Sequence, residues 1–595
     1  QERGMPSRFV VYALVTLLLT LAAAAPAAIQ PADGDLIPEA RALLDYLQSV
    51  YGKKTLSGTW GPGIASYVQE ASGRLPAIVA FDLTGWNSPT WGKTYTPVVE
   101  RTIEHAKAWH ARGGIVAFQF HWKHPMNPSG TSWRDRPKNS PRYDLAKAAQ
   151  VGTPEHKAFM DDLARHADYL QKLADARIPI LWRPFHEIDG GWFWWTDHTH
   201  PENTAALWRI MFDYLVKQRK LHNLIWVFNC GLKTTLKREA PPEEHTAFRK
   251  RYYPGPQYVD IAGIDIYPNS YYGWGKNEEE SYPKAFQIMQ EVAPGKMQAM
   301  CECGTFLNVQ KMAAEGPRWL YVLQWFEGDA GWARTCYAHP QVLTLEDVPA
   351  PSGRAVPAVV RIDSPPDGLA PVAGDLAFDV RAMAKGAPVA RVELRLLKGG
   401  WHNWFLMDEE KKGEALKEST LLCEAKASGR LVWKDAPPGL HQVVAQAFDG
   451  KGNATLSNSV RLRVGLTNLA GGKTATASSK AEKAQAALDD SLFTAWSSDK
   501  KDAEWLCVDL GSVRTVSAVT LFWAKANAKA YRVEVAPEAN KWSEVHSETR
   551  SRGGLETVSF PPAKARYVRL AGVKRGTEWG GYTLYDLGVY ESLPK

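Results

Sequence analysis

The sequence predicts a multidomain chain, a (β/α)8 TIM barrel followed by two β-sandwiches, and three observations carry that prediction. First, 595 residues exceed what one hydrophobic core serves, since single cores stop growing near about 250 to 300 residues. Second, from about residue 36 to residue 349, short runs rich in β-branched and aromatic side chains alternate with longer amphipathic stretches, the texture of repeated βα units around a parallel sheet. Third, beyond residue 355 the pattern changes to period-2 alternation at short spacing, the texture of all-β domains.

The elements follow in order. Residues 1–4 precede Met5, and residues 5–28 carry Arg8, an apolar run over 9–21 and a small-residue stretch ending in Ala27 and Ala28. That is the layout of a secretory signal peptide, so export is expected, extracellular or periplasmic. No later segment reaches the roughly 18 uninterrupted apolar residues of a transmembrane helix, so no membrane contact is expected after leader removal. Barrel strands are placed at 55–60, 76–82, 114–121, 178–187, 223–229, 259–267, 297–303 and 320–326, with helical signals such as 98–112 and 154–176 between them. Pro349, Ala350, Pro351, Ser352 and Gly353 read as a linker.

From 355 to 465 the segments VVRIDSP, LAFDVRAMA, ARVELRLL, GRLVWKD, HQVVAQAFD and SVRLRVG alternate apolar and polar residues, as an immunoglobulin-like sandwich does; a spacer role is expected. From 466 to 595 the texture returns with other motifs, ALDDSLFTAWSSD, EWLCVDLG, YRVEVAP and ARYVRLAG, giving a second sandwich.

Composition narrows the function classes. A net charge of +7 from 71 basic and 64 acidic residues is too diluted for the basic stripe of a nucleic-acid binder. The 24 Trp and 22 Tyr offer flat faces with a polar tip, suited to stacking on pyranose rings as well as to large cores. Six cysteines lack the spacing of a disulfide scaffold. Cys301 and Cys303 alternate on one expected strand and should point the same way, as buried thiols or a local disulfide; no second Cys or His pair at zinc spacing follows.

A parallel barrel carries its chemistry at the C-terminal ends of its strands. Asp82, His121, His186 with Glu187, Asn229, Asp265 with Tyr267, Glu302 and Trp325 fall at or beside seven such ends. Converging carboxylates, imidazoles and a tryptophan describe a sugar-cleaving cleft: one carboxyl protonates the leaving oxygen while another captures the oxocarbenium-like centre. Glu187 and Glu302, ending strands four and seven, are the expected pair, with the pKa of Glu187 raised so that it holds a proton beside an ionised Glu302. Tyr267 is expected to donate to Glu302, His186 to orient the nucleophile or a hydroxyl, Trp192 and Trp325 to stack, and Asp82, His121 and Asp265 to bond sugar hydroxyls or one another. The histidines of HWKH and HTH show no HExxH geometry, so no catalytic metal or cofactor is expected.

At WRPFHEIDGGWFWW, residues 182–195, the sequence resembles glycoside hydrolase family 26, (β/α)8 enzymes best known as endo-β-1,4-mannanases. The resemblance implies Glu187 as acid/base, His186 and Trp192 as its family neighbours, and Glu302, closing MQAMCECG, as nucleophile of a retaining double displacement. GIDIY matches the segment whose Asp265 and Tyr267 support the nucleophile, LQWF supplies Trp325 under the cleaved sugar, and HPQVLTLEDVP resembles the usual domain ending. His121 fits the histidine after strand three, with Trp122 or Trp133 as a sugar platform. Some members carry Arg after the strand-eight Trp, where this chain has Phe326. Mannan, glucomannan or galactomannan is the implied substrate, a monomer the expected state. The family's β-1,3-xylanases and mixed-linkage β-glucanases stay open as alternatives, as does a non-catalytic adhesin, which would require loss of a carboxylate.

Residues 466–595 resemble discoidin-like (F5/8 type C) domains of the kind found as family 32 carbohydrate-binding modules. Candidate stacking residues there are Trp505, Trp523, Trp542, Trp579 and Tyr582. That family often holds a structural calcium near a DGD turn, and the turn here reads Asp489, Asp490, Ser491.

Overall fold

The computed structural model describes residues 30–83, 95–126, 143–231, 241–267, 281–350, 355–386, 388–491 and 493–594. The leader, Trp133 and residues 351–353 of the expected linker lie outside them. Among the described residues, no helix is long and apolar enough to cross a membrane.

Eight parallel strands, β1 (Thr55–Trp60), β2 (Ile78–Asp82), β3 (Ile115–Gln119), β4 (Ile180–Arg183), β5 (Leu224–Gly231), β6 (Ile261–Ile266), β7 (Met297–Cys303) and β8 (Tyr321–Gln324), pair in chain order. The barrel closes because β1 pairs with both β8 and β2, and a short β9 (Val342–Leu343) joins the start of β1. Strand periodicity divides the core in two. Ile78 and Ala80 face a barrel interior shared with Leu56, Ala299 and Cys301, while Val79 and Phe81 face the helices. The helix Pro154–Asp175 shows how those helices are set: Thr153 accepts from the His156 amide at 3.1 Å, Pro154 opens the first turn, and Phe159, Leu163, Leu170 and Leu173 are buried.

Two departures from the expected strands shape the barrel mouth. The fourth strand stops at Arg183, not at residue 187, because Pro184 lacks an N–H and Phe185 and Glu187 turn into the left-handed region at φ 48° and 49°. In β7 the register against β6 slips: Ile264 faces Met300, but Asp265 faces Glu302. This bulge reverses the alternation, so Cys301 lies in the barrel interior whereas Cys303 packs in the outer layer. The two cysteines therefore do not point the same way. Cys301 lies 3.0 Å from the Tyr321 hydroxyl, Cys303 bonds the Thr305 carbonyl, and the six cysteines are thiols outside any disulfide.

The next domain pairs a three-stranded sheet, β10 (Val356–Ser364), β11 (Gly374–Lys385) and β14 (Gly429–Ala436), with a four-stranded one. The latter contains β12 (Val389–Leu396), β13 (Thr420–Ala425), β15 (Gly439–Asp449) and β16 (Ala454–Val464). A 3-10 turn (Trp404–Leu406) and a helix (Glu409–Lys417), not foreseen in the sequence, interrupt it. The domain packs firmly on the barrel helix Gly61–Ser72. The buried Glu70 carboxylate accepts from the Ser459 amide at 2.8 Å and from the Ser459 hydroxyl, and Gln69 donates to the Leu456 carbonyl at 2.8 Å.

The C-terminal domain is an antiparallel β-sandwich of β17 (Thr474–Ala477), β18 (Trp496–Ser497), β19 (Trp505–Trp523), β20 (Ala528–Ala536), β21 (Ser543–Glu548), β22 (Leu555–Arg575) and β23 (Thr583–Tyr590). Bulges in β19, as between Asp509 and Arg514, bend the long strands round a core that contains Trp496, Trp523, Tyr531 and Tyr582. One aromatic ring from each domain meets at a single junction: Tyr67 lies 5.7 Å from Phe405 and 5.2 Å from Phe493, and these two lie 6.0 Å apart.

Candidate active site

The bulge in β7 aims Glu302 into the barrel mouth, where the side chain is only 5 % exposed and both oxygens are engaged. Arg183, the last residue of β4, donates to Oε1, and Tyr267, just past β6, donates to Oε2 at 2.5 Å. The same guanidinium donates to Asp265 Oδ2 at 2.7 Å, to Asn229 Oδ1 at 3.1 Å and to Gln119. Asn229 in turn donates to Asp265 Oδ1 at 2.8 Å. Five strands, β3 to β7, thus meet at one buried cation. Burial alone would discharge Arg183, but the charges of Asp265 and Glu302 hold it firmly protonated.

Glu187 is held by a turn fastened to β5. Its amide donates to Asn229 Oδ1 at 2.8 Å, and the Ile188 amide donates to the Asn229 carbonyl at 3.1 Å. Asp189 accepts from the Gly231 amide at 2.7 Å and pairs with the buried Arg249 at 3.1 Å. These ties hold two non-glycine residues at positive φ, a conformation that costs on the order of 1–3 kcal/mol each. The Trp192 indole donates to Glu187 Oε2 at 2.7 Å. Burial, then the charge of Glu302, push the Glu187 carboxyl up to about 8, against the opposing pull of Trp192 and Arg183. Burial also pushes Tyr267 well above the usual phenol range, with Glu302 adding to the shift, so Tyr267 stays a proton donor.

A second chain of polar groups lines the β2–β4 side. Asp82 Oδ2 bonds His121 Nδ1, and His121 Nε2 lies 3.1 Å from His186 Nε2. Burial, with His121 and Arg183 nearby, pushes His186 well below the usual imidazole range, so its ring is neutral. His186 therefore orients His121 and not the nucleophile, and Asp82 and His121 bond each other. Trp325 lies against Trp60 at 4.7 Å between ring centroids, and the Tyr267 ring stands edge-on to it at 6.4 Å. Beside it, Trp60, Asp82, Thr102, His105, Trp325 and Phe326 line a cleft of about 690 Å³, with Phe326 47 % exposed.

One expected aromatic role fails. Trp122 offers no sugar face: it is 1 % exposed, stacks on Phe120 and Phe185, and donates to Asp162. Trp192 meets Glu187 through its N–H and so positions that carboxyl. Arg183 and Gln119 were missed. Arg183 stands inside the RPFHE run, yet an expected strand reaching residue 187 placed it too deep to count as an end. Among the described residues, one group with metal-ligand spacing, Asp33, Asp35 and His222, precedes β5 at the opposite end of the barrel, where Asp33 caps its own turn by accepting from the Asp35 amide.

A parallel barrel with two carboxyls at opposed strand ends, one clamped by donors and one kept protonated, defines a glycoside hydrolase. The model of glycosyl hydrolase family 26 matches residues 33–346, more than half of the chain, and the chain belongs to that family. The F5/8 type C domain model matches residues 473–586. A mannan endo-1,4-beta-mannosidase of Thermothelomyces thermophilus is 32% identical over 326 residues, 52% of this chain and 61% of that protein. Mannan endo-1,4-beta-mannosidase B of Piromyces sp is 27% identical over 332 residues, 53% of this chain and 52% of its own length. The chain thus spans between half and two thirds of these relatives. The crystal structure of a beta-mannanase from a symbiotic protist of the termite Reticulitermes speratus, complexed with gluco-manno-oligosaccharide, shares 28% identity, covers 54% of this chain and 97% of its own, and has a TM-score of 0.47.

Proposed function

We propose that the protein is a retaining endo-β-1,4-mannanase acting on mannan, glucomannan or galactomannan, with Glu302 as nucleophile and Glu187 as acid/base. The observation that carries this reading is the asymmetry of the two carboxyls. Glu302 is clamped by donors from Arg183 and Tyr267, while Glu187 is pushed up to about 8 and holds its proton at neutral pH.

In the first step a Glu302 oxygen bonds the anomeric carbon while the glycosidic C–O bond breaks, and the departing oxygen takes the proton of Glu187. The result is a glycosyl ester on Glu302 and an ionised Glu187. In the second step a water molecule gives a proton to Glu187 and its oxygen to the anomeric carbon, and the ester bond to Glu302 breaks. Arg183 and Tyr267 recover the full carboxylate charge as it leaves. Trp325 supplies a face beneath the sugar, and Trp192 steadies the ionised Glu187 between the steps.

The choice of mannan rests on the names of the curated relatives. Phe326 keeps β-1,3-xylan and mixed-linkage β-glucan as the second reading, because an exposed aromatic borders the cleft where some members have Arg. Product analysis on mannan, galactomannan, β-1,3-xylan and mixed-linkage glucan, with wild type and Glu302→Ala, tests both parts. Activity on another of these polymers and none on mannan sinks the substrate; full activity in the variant sinks the mechanism.

The C-terminal domain is proposed to bind the polysaccharide, and export through the leader would bring the enzyme to it. Of the five candidate aromatics, Trp523 and Tyr582 are core residues, and Arg569 covers the Trp542 ring at 4.1 Å. Trp505 is half-buried at the start of β19, and Trp579, 63 % exposed, is the most open of the five and is taken as the stacking face. Co-sedimentation with insoluble mannan should fall in Trp579→Ala while hydrolysis of soluble oligosaccharide is unchanged; undiminished sedimentation would remove Trp579 from that role.

A further inference from the structure

The turn at which the family resemblance implies a calcium ion faces the preceding domain. Asp490, at φ 60°, and Asp586 on β23, 1 % exposed, present their carboxylates to one point. Arg463, on β16 of the immunoglobulin-like domain, fills that point with a side chain 2 % exposed. Its Nη1 pairs with Asp490 Oδ1 at 2.6 Å, its Nη2 donates to Asp586 Oδ1 at 2.7 Å, and its Nε donates to the Tyr590 hydroxyl at 3.2 Å. The guanidinium carbon lies 4.6 Å from the centroid of the Trp401 ring. Gly368 closes the same corner from the Arg463 side, since a Cβ there would stand 2.7 Å from the Asp490 carbonyl oxygen. Asp489 is committed to its own turn, accepting from the Ser491 amide at 3.0 Å and from the Thr494 hydroxyl at 2.7 Å.

These residues do not fit a calcium ion. Calcium needs about six to eight oxygens at roughly 2.3–2.6 Å, and an ion reaching both Asp490 and Asp586 would occupy the volume of the guanidinium and repel its charge. We infer that Arg463 is the built-in cation of the C-terminal module: a guanidinium supplied by the neighbouring domain stands where calcium would, so the Asp490–Asp586 pair is neutralised only when the two sandwiches are docked. A planar fork suits two carboxylates approached from one side better than an ammonium does. Burial pushes Asp586 up and Arg463 opposes that shift, in keeping with a pair that must be formed together. The inference is independent of the catalytic reading.

Calorimetry of the full chain tests it. Melting in EDTA and in calcium raised to about 5 mM, above the roughly 10⁻⁴–10⁻³ M range of extracellular calcium modules, is expected to coincide within about 1 °C. A calcium-dependent rise in melting temperature, or saturable calcium binding that Asp586→Asn abolishes, would overturn it. Arg463→Met keeps the aliphatic stem on Trp401 and is expected to lower the C-terminal transition by about 10 °C. In the Asp490→Asn/Asp586→Asn background the same substitution should cost less than half as much, because no unpaired carboxylates remain. Equal losses in both backgrounds would overturn the pairing, and if Arg463→Met does not fold, the calcium titration of the wild type decides.

Discussion

The Trp192 indole donates to Oε2 of Glu187 at 2.7 Å, so the residue five positions beyond the proposed acid regulates how tightly that acid holds its proton.

The pH profile should show it. Glu187 is pushed up to about 8, so kcat/KM is expected to fall as pH rises through about 8, when the proton needed by the leaving oxygen is lost. The Trp192 N–H favours the ionised form, and Trp192→Phe removes it. The basic limb should therefore move upward in pH while kcat declines; a limb that stays in place or moves down would refute the assignment.

Tyr267→Phe deletes one of the two donors on Glu302 without opening a large cavity. A hydrogen bond to a charged group contributes about 1.5–3 kcal/mol, so kcat should drop roughly 10- to 150-fold. Circular dichroism should be unchanged.

Arg183→Met leaves Asp265 and Glu302 buried beside each other without their cation. Removing one partner of a buried ion pair typically costs about 3–5 kcal/mol, which urea denaturation of the barrel would measure. Arg183→Lys should recover only part of this, since an ammonium cannot serve Gln119, Asn229, Asp265 and Glu302 in one plane.

Glu70, between barrel and second domain, is pushed up to about 7 by burial. The folded state thus retains a proton that the unfolded chain releases near 4.5, so this group's contribution to stability is largest below that pH and declines as pH rises from about 4.5 to 7. Full linkage would be worth roughly 3 kcal/mol. Glu70→Gln should flatten the dependence in denaturation curves taken at both ends of the window; an unchanged slope would place the titration elsewhere.

Much of this was legible in the chain. The barrel followed from alternating patterns, and Glu187, Glu302 and Tyr267 stood out because polar residues at strand ends converge on a barrel mouth. What escaped depends on pairing between distant segments. The bulge that turns Glu302 inward exists only against Asp265 on the neighbouring strand. Trp122 adjoins His121 in sequence, yet neighbours on extended chain face opposite sides, and the histidine took the mouth while the tryptophan took the core. Arg183 gains its importance from four partners on four other strands. The helix Glu409–Lys417 is polar on most of its surface and carries little apolar periodicity to announce it.

The junction of Tyr67, Phe405 and Phe493 bears on how a polymer would be handled. A module on a loose tether samples many orientations and raises local substrate concentration whatever the route of the chain. Here the three domains share one aromatic contact, a buried Glu70–Ser459 hydrogen-bonded seam and the buried Arg463–Asp586 pair, so the angle between the two regions proposed to contact sugar is set. A glycan gripped at both places must follow one path across the surface, and strands that cannot bend to that path would gain nothing from the second grip. Rigidity of the substrate, and not only its sugar composition, then becomes a criterion of selection.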